Sequence, residues 1–142
     1  MAVAKQVSLH DPPSIKPIDG NFKVNSGFGK RMHPLNWRGR FHSGIDFKAP
    51  IGTPVLATTG GEVVISKTNK GGYGKHIVIQ HDEEFKTLYS HLSELKVKVG
   101  DKIKRGEVIG LVGSTGTSVR PHLHYEVIKA GKKVDPVEYF NP

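Results

Sequence analysis

Short apolar segments separated by glycine-containing turns run through the chain from Val24 onward. This alternation restricts the folds that the chain can adopt. Glycine and proline supply 17 and 9 of the 142 residues, and no long segment combines a 3.6-residue apolar period with a capping residue. Short strands bounded by turn residues are typical of β proteins. The predicted strands cover residues 53–57, 61–66, 75–81, 85–92, 107–112 and 123–129. We therefore predict an all-β, antiparallel fold, packed as a β-sandwich or a partly closed barrel, with one helical turn at 136–140.

The length indicates a single domain, because 142 residues lie near the commonest domain size of about 100–150. Residues 1–24 are rich in proline and turn residues, including Asp11-Pro12-Pro13 and Asp19-Gly20. This composition predicts an extended N-terminal arm over 1–24 and a folded domain over 25–142.

Three histidine-containing groups carry the side chains best suited to chemistry. They are His42-Ser43-Gly44-Ile45-Asp46, Tyr89-Ser90-His91-Leu92-Ser93 and Pro121-His122-Leu123-His124-Tyr125. Alternate residues of a strand point to the same face, so His122 and His124 should converge. Two imidazoles and a carboxylate suit Zn²⁺, and a catalytic zinc has three protein ligands and an open position. The residues alone predict a zinc site made by His42, Asp46 and one histidine of the His-x-His pair, with the other imidazoles available for proton transfer.

Further short motifs stand between Ser26 and Phe140. They are Ser26-Gly27-Phe28-Gly29-Lys30-Arg31 with His33-Pro34, Gly52-Thr53-Pro54-Val55, Gly72-Tyr73-Gly74, Ile77-Val78-Ile79-Gln80-His81, Val99-Gly100-Asp101 through Gly110, and Gly113-Ser114-Thr115-Gly116. Together with the histidine groups, and with Glu126 after the last of them, they resemble the lysostaphin/LytM-type zinc metallopeptidases. That family cuts peptide bonds in bacterial peptidoglycan.

The resemblance implies a role for each of five residues. His42, Asp46 and His124 become the zinc ligands, while His91 and His122 become the catalytic imidazoles beside a metal-activated water. Residues 25–142 become a zinc metallopeptidase catalytic domain with the metal site in a groove bounded by loops. The implied substrates are peptidoglycan peptides, and the implied location is the periplasm, the extracellular space or the cell wall. The first residues lack the apolar stretch of a signal peptide, so the location depends on the resemblance.

Loop residues beside the histidine groups are predicted to bind substrate. Tyr73, Lys75 and Arg120 bring groups able to bind carboxylates or carbonyl oxygens, and the glycines beside them would let a peptide backbone approach. These glycines are Gly71, Gly72, Gly74, Gly113 and Gly116. At two positions the chain departs from residues frequent in the family: Lys75 replaces an asparagine, and Val119-Arg120 stands where a glycine often precedes Pro121. The cleavage specificity and the bond that is cut therefore stay open.

Other function classes explain fewer of these residues. The formal net charge of +8 suits an anionic wall polymer, but one tryptophan and no aromatic ladder argue against nucleic-acid binding. The Val99-to-Gly110 half-motif also resembles lipoyl and biotin carriers, yet the hairpin-tip lysine with its flanking methionine or aspartate is missing. A catalytically inactive module that binds the wall or activates a hydrolase is the alternative, but all five metal and catalytic candidates are present. No apolar run reaches the ~18 residues of a membrane span, and the oligomeric state is open.

Overall fold

The computed structural model describes most of the chain from residue 39 onward and shorter parts of it before that. The described residues are 13, 15–19, 24–26, 29–32, 39–118 and 120–140, without the side chains of 24–26, 29–32, 39, 40, 41 and 42. Most of the predicted arm over 1–24 therefore lies outside the described residues. Within its described part, the Pro17 carbonyl accepts a hydrogen bond from the Leu56 N–H at 2.6 Å, and Ile18 is 2% exposed. This part of the arm packs against the core.

Twelve strands lie in the described residues. They are β1 (Val24–Ser26), β2 (Gly29–Met32), β3 (Gly39–His42), β4 (Ile45–Lys48), β5 (Pro54–Leu56), β6 (Gly61–Thr68), β7 (Lys75–Gln80), β8 (Phe85–Leu95), β9 (Lys102–Ile103), β10 (Val108–Val112), β11 (His122–Lys129) and β12 (Lys132–Val134). Each of the six predicted strands is present, with shifted ends. The predicted helical turn is a 3₁₀ helix over Pro136–Tyr139, capped by Asp135, whose Oδ1 accepts a hydrogen bond from the Val137 N–H at 3.0 Å.

The strands form one large antiparallel sheet and a separate β2–β3 pair. The main path of the large sheet runs β9-β6-β7-β8-β11-β4-β1, and β12 pairs with β11. The long strand β8 pairs with β7 and β11 along its first part and with β10 near its end, and β10 in turn pairs with β5. The all-β antiparallel prediction is confirmed. The described strands make a branched sheet whose main path stays open.

Strand β11 separates the core from the face that carries the predicted site. Leu123, Tyr125 and Val127 are fully buried in the core, so the alternating His122 and His124 point to the other face. This alternation is the reason that one strand can contribute both to the core and to a polar site.

Hydroxyl groups inside the core are paired with one another. The Tyr89 hydroxyl accepts a hydrogen bond from the Thr58 N–H at 3.1 Å and lies 2.7 Å from Thr87 Oγ1. The Tyr125 hydroxyl lies 2.8 Å from Thr58 Oγ1. Pairing of this kind offsets the cost of burying polar atoms. In the described ranges, no helix has the length and apolar character needed to cross a bilayer.

Candidate metal and catalytic site

Three adjacent strands bring the predicted site residues together. In the antiparallel ladders, His124 on β11 stands directly opposite Asp46 on β4 and opposite Ser90 on β8. Residues directly opposite each other in a ladder project from the same face, so Asp46 and His124 meet there. His91 follows Ser90 on β8, and His122 lies two residues before His124 on β11. The sheet register therefore places Asp46, His122 and His124 on one face, and His91 joins them through a break in the alternation of β8.

Asp46 and His124 lie within hydrogen-bond distance of each other. His124 Nδ1 lies 2.7 Å from Asp46 Oδ1, and His124 Nε2 lies 2.8 Å from Glu126 Oε2. Burial would lower the pKa of His124, but the hydrogen bonds to the two carboxylates outweigh it and raise this pKa to about 9. An imidazole held between two carboxylates favours a cation at that position, either a proton or a metal ion.

His91 enters the site through an unusual backbone conformation. Its φ of 63° lies in the left-handed region, which a residue with a Cβ seldom adopts. The His91 N–H donates to the Tyr73 carbonyl at 2.8 Å, and its ring Nδ1 lies 2.7 Å from the Thr115 carbonyl oxygen. Burial lowers the pKa of His91, which favours the neutral ring. Backbone strain of this type is often found at functional sites.

Backbone carbonyls fix the tautomers of both predicted catalytic imidazoles. His122 Nδ1 lies 2.9 Å from the Arg120 carbonyl oxygen, as His91 Nδ1 lies near that of Thr115. A carbonyl oxygen only accepts hydrogen bonds, so Nδ1 carries the proton in each neutral ring and Nε2 keeps a lone pair. The two ring centroids are 4.8 Å apart, and His122 Nε2 lies 3.9 Å from Asp46 Oδ1. Both imidazoles can therefore accept a proton at Nε2 beside Asp46.

The donor set fits a zinc ion. Asp46 offers a carboxylate and His124 an imidazole on one face, and this mixture of oxygen and nitrogen donors suits Zn²⁺. The third predicted ligand, His42, ends strand β3, and its side chain lies outside the described residues. Among the side chains that are described, no group of three His, Asp or Glu residues forms a complete metal cluster. The assignment of His42 as the third ligand stays a prediction.

A cavity of about 280 Å³ lies over the histidine rings. It is lined by Gly72, Tyr73, His91, Thr117 and His124. The Tyr73 ring stacks on the His124 ring with their centroids 6.0 Å apart. Of the three predicted substrate-binding residues, Tyr73 alone belongs to this lining. The Lys75 ammonium donates to Thr68 Oγ1 at 3.3 Å, and the Arg120 carbonyl holds His122.

Two of the glycines predicted to face the substrate, Gly74 and Gly116, instead allow two loops of the chain to pack against each other. A Cβ on Gly74 would lie 2.4 Å from the Gly116 nitrogen, and a Cβ on Gly116 would lie 2.4 Å from the Gly72 carbonyl oxygen. Both glycines also have positive φ, of 63° and 76°. The space beside them is filled by the chain's own backbone, so the expectation that they admit a peptide is wrong for these two positions.

Glu126 is a buried member of the site for which the sequence analysis gave no role. Burial would raise the pKa of Glu126, but hydrogen bonds from His124, Ser43 and Tyr73 outweigh it and lower this pKa to about 2. The signal was available: Glu126 follows His124 by two residues on the same strand, which places both on one face. Thr115, whose carbonyl lies near His91 Nδ1, and Ser118, whose Oγ lies 3.0 Å from His122 Nδ1, gave no such signal, because they lie in a loop.

Known proteins share this arrangement of strands and motifs. The pattern described as peptidase family M23 matches residues 40–136. The DD-carboxypeptidase/endopeptidase Mpg of Neisseria meningitidis serogroup B is 48% identical over 120 residues, which are 84% of this chain and 27% of Mpg. The crystal structure of a zinc-containing peptidase from Vibrio cholerae has a TM-score of 0.82 and 39% identity, over 89% of this chain and 39% of that one. The catalytic domain of lysostaphin from Staphylococcus simulans has a TM-score of 0.74 and 36% identity, over 84% of this chain and 92% of that domain.

These matches define the chain as a member of a metallopeptidase class. It belongs to peptidase family M23. The predicted resemblance to lysostaphin-type peptidases is confirmed. Membership implies a metal cofactor. The chain spans about a quarter of the length of the curated relatives that it matches at 48% identity.

Proposed function

We propose that the chain is a zinc-dependent endopeptidase that hydrolyses peptide bonds of bacterial peptidoglycan. The observation that carries the proposal is the convergence of Asp46, His91, His122 and His124 beside one cavity. Two of these imidazoles have a lone pair at Nε2, and the other two side chains offer a metal a carboxylate and an imidazole. A wall-binding or activator module without catalysis would not need this combination.

His42, Asp46 and His124 would hold the zinc ion. When bound, the ion lowers the pKa of water to about 7 and polarises the scissile carbonyl. Asp46 and His124 are suited to this role because they already face each other across β4 and β11. His42 is assigned from the family motif, since its side chain lies outside the described residues.

His91 and His122 would accept and donate protons during hydrolysis. As water attacks the carbonyl carbon, Nε2 of one of these rings accepts a proton and can later give it to the leaving amine. The charged ring also stabilises the negative charge that develops on the carbonyl oxygen. The carbonyls of Thr115 and Arg120 hold the two rings in the tautomer that this step requires.

The substrate class follows from the relatives and from the charge of the chain. Mpg is named a DD-carboxypeptidase/endopeptidase, and ShyA of Vibrio cholerae, 44% identical over 123 residues, is named a peptidoglycan DD-endopeptidase. The formal net charge of +8 suits an envelope rich in carboxylates. We place the activity in the periplasm, at the cell wall or outside the cell.

Digestion of purified sacculi and of defined cross-linked muropeptides, followed by mass spectrometry, tests the proposal. The zinc-loaded protein should yield products that have gained one water per cleaved peptide bond, and a chelator should abolish them. Asp46→Asn should be inactive, because an amide is a poor zinc ligand. Asp101→Asn is the matched control, since Asp101 lies in a turn and its carboxylate accepts a hydrogen bond from the Lys98 N–H, which the amide oxygen of Asn can also accept.

The result that contradicts the proposal is equally concrete. A zinc-loaded wild-type protein that cleaves no muropeptide, while Asp46→Asn and wild type bind sacculi equally, would favour the inactive wall-binding module. Cleavage that survives in Asp46→Asn would show that the assigned site does not carry the reaction.

A further inference from the structure

Glu126 is a fully buried carboxylate directly behind the proposed zinc ligand His124. Its relative exposure is 0%, and it projects from the same face of β11 as His124. Gly44 lies against it: a Cβ on Gly44 would be 2.8 Å from Glu126 Cγ and 2.2 Å from the Tyr125 carbonyl oxygen. Because Gly44 has no Cβ, β11 and the Glu126 side chain can pack directly against the backbone between His42 and Asp46.

Three donors converge on one oxygen of Glu126. Oε2 accepts hydrogen bonds from the Ser43 hydroxyl at 2.6 Å, the Tyr73 hydroxyl at 2.7 Å and His124 Nε2 at 2.8 Å. Oε1 accepts no hydrogen bond from a described residue, but it lies 3.1 Å from the Lys133 ammonium. An isolated buried charge is costly, and these partners compensate the Glu126 carboxylate for its burial.

The contact with His124 determines which nitrogen can bind a metal. An ionised carboxylate only accepts hydrogen bonds, so His124 must carry a proton on Nε2. The lone pair of the neutral ring then lies on Nδ1, which faces Asp46 Oδ1 at 2.7 Å. Metal-binding histidines commonly use their second ring nitrogen in this way, and the partner fixes both the tautomer and the orientation of the ring.

The same carboxylate also determines what Tyr73 can do. The Tyr73 hydroxyl has one proton, which it donates to Glu126, and it accepts from the Lys133 ammonium at 3.0 Å. Its hydroxyl is therefore held by groups behind the cavity. Tyr73 contributes to the cavity through its ring, which stacks on His124.

We propose that Glu126 is a positioning residue, which holds His124 in the Nε2-protonated tautomer with Nδ1 directed at the metal and anchors the Tyr73 ring beside it. The inference rests on the proposed function for the identity of the metal site. It adds a four-residue support, made by Ser43, Tyr73 and Lys133 around the buried Glu126, to the ligands and catalytic imidazoles.

Zinc affinity measured against a chromophoric chelator tests this role without any need for activity. Loss of such a partner typically weakens metal binding about 10–100-fold. We expect Glu126→Ala to raise the zinc Kd toward the upper end of that range, and Glu126→Gln to raise it less because the amide oxygen can still accept from Nε2. Glu94→Gln is the matched control: Glu94 is exposed on β8 and pairs with Lys96 at 2.9 Å, so its zinc Kd should equal that of wild type.

A spectroscopic signature separates positioning from general destabilisation. Nitrogen-15 NMR of the zinc-loaded protein should show the His124 proton on Nε2 in wild type and in Glu126→Gln. Wild-type zinc affinity in the folded Glu126 variants, whatever their His124 tautomer, would overturn the positioning role while leaving the proposed function intact. If Glu126→Ala does not fold, the Glu126→Gln measurements decide alone. A wild-type protein that binds no zinc would overturn the proposed function and this inference with it.

Discussion

Alanine at Gly74 should destabilise the protein more than alanine at Gly72, although both positions lie in the same loop. The two residues have similar left-handed conformations, with φ of 63° and 57°. They differ in the space beside them: a Cβ on Gly74 would lie 2.4 Å from the Gly116 nitrogen, whereas a Cβ on Gly72 meets nothing within 4 Å. The pair therefore separates backbone strain from steric overlap.

The expected magnitude follows from that difference. A left-handed conformation costs an L-residue with a Cβ about 1–2 kcal/mol, and this strain is common to both variants. Alanine also makes the unfolded chain less flexible than glycine does, which stabilises the folded state by about 0.4–1 kcal/mol in both variants. Steric overlap with a backbone that cannot give way adds about 1–3 kcal/mol for Gly74→Ala alone. The two variants should differ by about 2 kcal/mol in the free energy of unfolding.

Urea unfolding followed by circular dichroism, with zinc in fixed excess, measures this difference. With a urea slope of about 1–3 kcal/mol/M, a difference of about 2 kcal/mol separates the two midpoints by about 1 M. Equal midpoints for Gly72→Ala and Gly74→Ala would refute the reasoning, because they would mean that the two loops do not pack as tightly as the structure has them.

Three further predictions concern catalysis, the rim of the cavity and the core. His91→Ala and His122→Ala should each keep zinc yet lose about 10²–10⁴-fold in kcat, and loss of zinc from either variant would contradict the division between ligands and proton carriers. Lys75→Ala and Arg120→Ala should weaken cleavage of wall peptides at low salt, and the defect should shrink as the salt concentration rises, because exposed charges are screened over ~8 Å at physiological ionic strength. Wild-type activity of both variants at low salt, on sacculi and soluble muropeptides alike, would remove these residues from recognition. Tyr89→Phe should lower the free energy of unfolding by about 1–3 kcal/mol, since a buried backbone N–H loses its acceptor, and an unchanged urea midpoint would contradict the buried network.

Most of the strands that could be predicted from the sequence are long enough to show their period and are bounded by glycine turns, and the three-residue β5 was predicted as part of a longer segment over 53–57. In β11 the alternation of apolar and polar residues also predicts that His122 and His124 share a face, as the structure shows. Strands β9 and β12 were missed because two or three residues cannot display a period. Strand β4 was missed because its four residues, Ile45–Lys48, were considered only as part of a metal motif.

The geometry of the site was less accessible to sequence reasoning, because it depends on contacts between distant segments. Nothing local predicts a φ of 63° at His91, a conformation held by the Tyr73 carbonyl and the Thr115 carbonyl from two other loops. Spacing alone also left His122 and His124 equivalent as ligands. The sheet register sets His124 directly opposite Asp46, which favours His124 as the proposed ligand.

Zinc content tests the central claim most directly. We expect wild-type protein, purified without chelators and dialysed against buffer with trace zinc, to retain about one equivalent by elemental mass spectrometry. His42→Ala, Asp46→Ala and His124→Ala should each lose it, because two remaining ligands cannot hold the ion against water and buffer. A folded wild-type protein that stays metal-free with zinc supplied, or three variants that retain zinc as wild type does, would contradict the account.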